Sequence, residues 1–381
     1  MLKKPRRRKF NRKIAIKNLL LLFISVVMIL VAIKIISIPF KKSNTATNSN
    51  NTKKTGITSN VENTVSEVLM SAVGDCTIGT DSKFSYATSL PAMAQQNSSG
   101  FAYYFKNVYS ILSKDDLTIA NLETTFTNSN DKADKQYNFK ASSDYAKSLT
   151  LGSIEGVNIS NNHIYDYKEK GFLDTKLALE KEKINYFGEG SKWTTKIKDQ
   201  SFGFLGYRGW SLDKSFLDKL KGDIALLKKT NSVVIINFHW GAESAYYPVN
   251  TQKELAHFAI DNGADIILGH HPHVIEGIEQ YKNRIIAYSL GNFCFGGNSN
   301  PSDKTTFIFQ SNLKFVNNSL TSIGVRVIPC SISSVNYTND YRPTPLMGNA
   351  KLNLLSKLNK LSDNSGFKIS DKFFYINTAN N

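Results

Sequence analysis

From residue 66 onward, short apolar runs alternate with longer amphipathic stretches. The runs are Val68–Val73, Leu117–Ala120, Val157–Ile159, Phe202–Leu205, Val233–Phe238, Ile266–Leu268, Ile285–Tyr288 and Gly324–Ile328. They are rich in Val and Ile and predict strands. Between them, helices are predicted near 101–113, 144–151, 168–182, 213–228 and 251–262. Leu354, Leu355, Leu358 and Leu361 recur at helical spacing within 348–361, which predicts a C-terminal helix packed on the same domain. Alternation of this kind predicts an α/β domain with helices covering the sheet faces. There is no internal repeat.

The polar residues are placed as regularly as the apolar ones. Gly74-Asp75 follows the first run, Asn121-Leu122-Glu123 the second and Asn161-Asn162-His163 the third. His239-Trp240-Gly241-Ala242-Glu243 closes the run at 233–238. Gly269-His270-His271-Pro272-His273 follows 266–268, and Ser289-Leu290-Gly291-Asn292-Phe293 follows 285–288. Six predicted strands thus end in small polar clusters. Ligands of α/β sheets bind outside the carboxyl ends of the strands, so parallel alignment would gather these clusters into one site.

Charge changes the picture at the N-terminus only. The net charge of +16 invites a nucleic-acid reading, but residues 1–54 hold 14 Lys or Arg and no Asp or Glu. After residue 54 only about +2 of the total remains. Nine cations precede an apolar run from Leu19 that extends to Phe40. Roughly 20 apolar residues span a bilayer, and a cationic flank stays cytoplasmic. Ser37-Ile38-Pro39-Phe40 lacks the small-residue pattern of a signal-peptide cleavage site. The expected organisation is therefore a cytoplasmic basic tail (1–18), an uncleaved membrane anchor (19–40), a flexible Ser/Thr/Asn/Lys linker (41–65) and one exported domain (66–370). The basic block then lies on the far side of the membrane from the domain, and no nucleic-acid recognition module is visible. Cys76, Cys294 and Cys330 include no Cys-x-x-Cys pair and make no disulfide scaffold, although an exported domain could oxidise one pair.

Five of the six histidines, His163, His239, His270, His271 and His273, fall in the strand-end clusters together with Asp75 and Glu123. Imidazole and carboxylate together are the ligand set of Zn, Mn or Fe. His271-x-His273 lets two rings project from one short loop, and two ions bridged by a carboxylate would clamp a phosphoester. Other residues take plainer readings. Asp166 reads as a site residue or, preferably, with Glu169 as a helix-capping box. His257 lies opposite Leu255, Phe258 and Ala259 on its helix and reads as solvated. Cys76 reads as a small buried residue, Gly291 and Gly296-Gly297 as turn formers, and Trp240 as core or as a stacking surface for substrate. Glu243 is open between metal ligand, partner of His239 and substrate contact.

These clusters in this order, with Asp166, Gly171 and Arg342-Pro343, resemble the bacterial capsule-synthesis protein CapA family, the poly-γ-glutamate capsule family. The resemblance runs from about residue 68 to 365. It implies a calcineurin-like metallophosphoesterase fold, a four-layered α/β/β/α sandwich, behind one transmembrane helix. It implies Asp75 on a first metal, Glu123 bridging, Asn162, His239 and His271 on a second, and His273 on the first. His163 would be the acid or phosphate-orienting group, with Glu243, His270 and Asn292 toward substrate. The implied cofactor is one or two divalent transition ions (Mn, Zn or Fe). The implied partners are an anionic capsular polymer or its membrane synthase, at the cell membrane. Thr77 departs from the pattern, because the wider superfamily has Asp-x-His where this chain has Asp75-Cys76-Thr77. Two functions are therefore expected: a metal-dependent hydrolase of a phosphoester or polymer amide, or a non-catalytic polymer-handling subunit. Arg208, Lys140 and Arg284 are the cations available for a polyanion.

Overall fold

A computed structural model describes residues 63–362 and 365–378. The expected basic tail and anchor, and nearly all of the linker, lie outside the described residues. Among those described, no helix is long and apolar enough to cross a membrane.

Two sheets form a mixed α/β fold. The first begins with parallel strands β1 (Val65–Thr77) and β2 (Leu117–Leu122). A two-residue pair, β3 (Thr125–Phe126) and β4 (Lys140–Ala141), stands apart, and the first sheet continues with β5 (Gly156–Asn158) and β6 (Asn185–Phe187). The second sheet comprises β7 (Trp193–Ile197), β8 (Gln200–Gly209), β9 (Val233–Trp240), β10 (Ile266–His270), β11 (Ile278–Tyr281) and β12 (Arg284–Ala287). Its order is β11-β12-β10-β9-β8-β7, with β8, β9, β10 and β12 parallel and antiparallel strands at both edges. The chain then returns to the first sheet through β13 (Asn292–Phe295), which pairs with β1. The long hairpin β14 (Thr305–Val316) and β15 (Ser319–Ser331) and the short strands β16 (Thr344–Pro345) and β17 (Phe374–Asn377) complete it.

Side-chain alternation explains the layers. In β9, Val233 and Ile235 face the other sheet, where Val68, Met70, Ile119, Phe307 and Phe309 meet them. Val234, Ile236 and Phe238 point the other way, onto Leu220 and Ile224 of helix Lys214–Lys228 and Leu255 and Ala259 of helix Asn250–Asp261. The outer face of the first sheet buries Val73, Leu122 and Val157 against Phe172 and Leu179 of helix Lys168–Lys181. A strand apolar on both faces must be covered on both, so helices flank a two-sheet sandwich. Helix Gly348–Leu361 buries Leu354 and Leu358 in the core between the sheets, as their spacing predicts.

Two expectations need revision. The predicted helix at 101–113 is a 3₁₀ turn, Gly100–Tyr103, and a single α turn, Tyr109–Leu112. Tyr103, Tyr104 and Phe105 are all buried, and three consecutive inward side chains do not fit one helical face. The β14–β15 hairpin is far longer than the run at Gly324–Ile328, because Gln310, Ser311 and Asn312 interrupt its apolar alternation.

Candidate metal centre

Strand register assembles the site. Asp75 pairs with Asn121, Asn121 with Asn158, and Asp75 with Asn292 on its other side, all in parallel ladders. His239 pairs with His270 across β9 and β10. Backbone segments approach closely here. A Cβ on Gly74 would lie 1.9 Å from the carbonyl oxygen of Gly291, and one on Gly269 would lie 1.8 Å from that of Tyr288. Both positions are therefore restricted to glycine. After β10 the loop turns sharply: His271 has φ 97° and His273 φ 59°. Left-handed backbone at non-glycine residues costs about 1–3 kcal/mol each and concentrates at functional sites.

An amide chain runs into Asp75. Asn158 Nδ2 donates to Asn121 Oδ1 at 2.9 Å, and Asn121 Nδ2 donates to Asp75 Oδ1 at 2.8 Å. The backbone N–H of His271 donates to Asp75 Oδ2 at 3.2 Å, and the Nδ1 atoms of His270 and His273 each lie 3.4 Å from the carboxylate. Asn162 Oδ1 lies 2.8 Å from His239 Nε2. Donor atoms of Asp75, Glu123 and His273 converge within 4.8 Å of one another, as do those of Glu123, His239 and His271, and of Glu243, His271 and His273. Glu123 belongs to the first two groups. Both of its carboxylate oxygens are buried and lack a hydrogen-bond partner, and so does His271 Nδ1. Buried, orphaned anionic oxygens beside imidazoles are a donor set that fits divalent transition ions.

Electrostatics follow from burial and charge together. Burial drives the Glu123 carboxyl well above its usual range, against the pull of His273. Burial opposes ionisation of Asp75, yet the His270 and His273 rings, 3.4 Å away, hold it well below the usual range. Burial drives His239 well down, and burial with His273 drives His271 down to about 4. Burial also opposes charging of His273, but Glu123 and Asp75 outweigh it and lift the ring to about 10. The cluster thus keeps His239 and His271 as neutral imidazoles, the form that ligates metal, and His273 would release its proton on taking up an ion.

A cavity of about 640 Å³ opens over the cluster, its walls including Glu123, His163, Glu243, His273 and Asn292. His163 Nδ1 meets Asp166 Oδ2 at 2.7 Å, which leaves Nε2 for other partners. Burial lowers His163 despite Asp166. Asp166 also accepts from Phe139 N at 2.6 Å and Lys135 Nζ at 2.8 Å. Asp166 therefore does not cap helix Lys168–Lys181, whose first turn has no side-chain cap. It orients His163. The expected substrate contact at His270 also needs correction: the ring is fully buried behind Asp75, with Nε2 3.1 Å from Asn237 Nδ2. Asn292 lines the cavity but spends both side-chain polar atoms on His273, at 2.9 and 3.0 Å. Glu243 is exposed at the rim. Thr77 lines the cavity, and its buried hydroxyl has no partner.

Sequence reasoning missed Lys135, which lies in a polar loop with no periodic signal, and Trp210, whose ring meets His271 edge-on at 4.7 Å. It also left Asn121 off the site, although the motif Asn121-Leu122-Glu123 contains it. The proposed polyanion contacts are engaged elsewhere. Arg208 pairs with Glu189 at 3.0 Å, Arg284 with Asp265 at 3.0 Å, and Lys140 with Asn130 at 2.9 Å. Trp240, open between substrate stacking and core, is fully buried and donates to Tyr288 O at 2.9 Å. His257 is not merely solvated: it meets Glu279 at 3.0 Å and stacks on Tyr281 at 3.9 Å. All three cysteines are buried and free.

The chain is 31% identical over 226 residues to capsule biosynthesis protein CapA of Bacillus anthracis, covering 52% of this chain and 55% of that one. It is 32% identical over 213 residues to PGA biosynthesis protein CapA of Bacillus subtilis, covering 50% and 56%. The alignments thus span about half the length of these relatives. Among solved structures, the purple acid phosphatase PPD1 of yellow lupin seeds aligns with TM-score 0.36 and 7% identity, covering 74% of this chain and 53% of that one, a level that carries no weight for fold or chemistry. Residues 69–297, more than half of the chain, match the family described as bacterial capsule synthesis protein PGA_cap, and the chain belongs to that family.

Proposed function

We propose that this protein is a membrane-anchored, extracytoplasmic metal-dependent hydrolase of poly-γ-glutamate capsule production, with a calcineurin-like metallophosphoesterase site. The observation that carries the reading is Glu123. Its two orphaned oxygens are shared between the group of Asp75 and His273 and the group of His239 and His271. Asp75, Glu123 and His273 would hold one ion, and Glu123, His239, His271 and Asn162 a second. Bound divalent ions would supply Lewis-acid activation of water and of a phosphoester or polymer amide. The chain's own residues do the rest. Asp75 is fixed by Asn121 and the His271 backbone, and Asn292 fixes His273. Asp166 holds the His163 ring with Nε2 free for the substrate, and its carboxylate opposes the burial that disfavours the imidazolium, the form in which Nε2 would protonate the leaving group.

Thr77 supports a second reading, a non-catalytic subunit that passes anionic polymer to or from its membrane synthase, since the position offers a hydroxyl where the superfamily offers an imidazole. One experiment separates the two. The full-length protein is assayed with Mn²⁺, Zn²⁺ or Fe²⁺ on bis(p-nitrophenyl) phosphate and on poly-γ-glutamate, alongside His239→Ala. Metal-dependent turnover abolished by the substitution supports the hydrolase. Metal binding without turnover on any ester or amide, in a strain whose capsule still needs the protein, supports the subunit.

A further inference from the structure

The cavity has an outer part that the metal cluster does not use. We propose that it is a saccharide subsite, which seats a neutral, hydroxyl-bearing ring against Phe84, Tyr137 and Phe139. This subsite deepens the phosphoester branch of the reading above and rests on that reading only for its role in turnover.

The aromatic wall starts at His163, whose ring lies 4.7 Å from that of Phe139. Tyr137 and Phe139 follow at 6.2 Å with planes 12° apart, and Phe84 lies 5.6 Å from Tyr137. Tyr137 is 38% exposed, and all three rings line the cavity. Ser85, Thr88, Asn298, Ser299 and Ser302 add hydroxyl and amide groups to the lining. An aromatic wall, with Tyr137 and Phe139 nearly parallel and Phe84 tilted by 41° beside Tyr137, and with polar groups around it, matches a ring that presents C–H bonds on its face and hydroxyls on its edge.

Charge argues against the alternative occupant, an extended polycarboxylate. Among the described residues, Lys83 is the one Lys or Arg in the lining, and its ammonium is engaged by Gln136 O and lies over the Tyr137 ring at 5.6 Å. Glu123, Glu243 and Asp303 line the same space. The nearby Lys135 and Lys357 are bound to Asp166 and Asp303, at 2.8 and 2.7 Å. Even with ions held by the inner cluster, the outer part offers a carboxylate chain no unengaged cation among the described residues, and Glu243 at the rim adds like charge.

The test is calorimetric titration of the full-length protein in detergent, once in EDTA and once with Mn²⁺. The probes are a neutral hexose tetrasaccharide, a neutral N-acetylhexosamine tetrasaccharide and a γ-linked glutamate decamer. We expect at least one tetrasaccharide to bind in both arms. Tyr137→Ala and Phe84→Leu, checked for unchanged melting, should each weaken it about tenfold. Tyr137→Leu substitutes if the alanine variant fails to fold. No heat from either saccharide, binding that neither variant weakens, saccharide binding abolished by EDTA, or decamer binding lost in Tyr137→Ala each overturns the proposal. Saccharide binding in a protein that takes up no Mn²⁺ leaves the subsite standing and removes the metal reading, whereas Mn²⁺ uptake without saccharide binding does the reverse.

Discussion

Glu123→Gln should stabilise the metal-free protein and abolish its stabilisation by metal. Both Glu123 oxygens are buried without a hydrogen-bond partner. An unsatisfied buried polar group costs about 1–3 kcal/mol, and more when charged. Glutamine keeps the shape and removes the charge, so the variant should gain about 1–3 kcal/mol in EDTA at pH 8. That is about 2 °C in melting temperature per kcal/mol for a domain of this size. The sign follows from burial, which raises the folded-state pKa of Glu123. Its native state holds extra protons, so stability is full below the ordinary carboxylate range and is lost as pH rises. The gain should therefore vanish near the model-peptide pKa and be largest in mild alkali. With metal at a hundredfold its dissociation constant, the wild type should gain about 2.7 kcal/mol and the variant far less. Scanning calorimetry of both proteins, in EDTA and in excess Mn²⁺, should show the variant's lead in EDTA cancelled or reversed by Mn²⁺. A variant less stable than wild type in EDTA, or one that gains as much from Mn²⁺, refutes the reasoning.

Glu276 is buried, accepts from Gln252 Nε2 at 2.7 Å, has one orphaned oxygen, and is pushed up to about 8 by burial. Its contribution is full below the unfolded carboxylate range and lost as pH rises through 8, so Glu276→Gln should flatten the pH dependence and add roughly 3 kcal/mol at pH 9, read by urea melts at pH 5 and 9. Gly269→Ala should cost at least about 3 kcal/mol in the same melts, because its Cβ would collide with Tyr288 O. Asp166→Asn should reduce turnover about 100-fold on an alkyl phosphoester and much less on a p-nitrophenyl ester, whose leaving group needs no proton; equal losses on both would remove His163 from the acid role.

Much of this architecture was legible because it is one-dimensional. Runs such as Val233–Phe238 mark strands, and polar residues placed just after them land at parallel strand ends, so Asp75, Glu123, His239, His271 and His273 gather as expected. What the chain conceals is depth and reach. His270 and His271 are neighbours in sequence, yet the first is buried behind Asp75 while the second joins the metal-ligand groups, a division set by the left-handed turn that begins at His271. Asp166 obeys the local grammar of a cap and is taken instead by Lys135 and Phe139, residues about 30 positions away. Arg208, Lys140 and Arg284 look available only until their partners are known. The aromatic wall could not be read from sequence, since Phe84 and Tyr137 belong to separate irregular segments.

The central claim is that Glu123 is the shared ligand of a divalent metal centre, and anomalous diffraction from Mn²⁺-soaked crystals tests it most directly. The account predicts anomalous peaks against Glu123, one beside Asp75 and His273 and one beside His239 and His271, both absent in Glu123→Gln. Crystals with no peak in this cluster, or with manganese held away from Glu123, would contradict it.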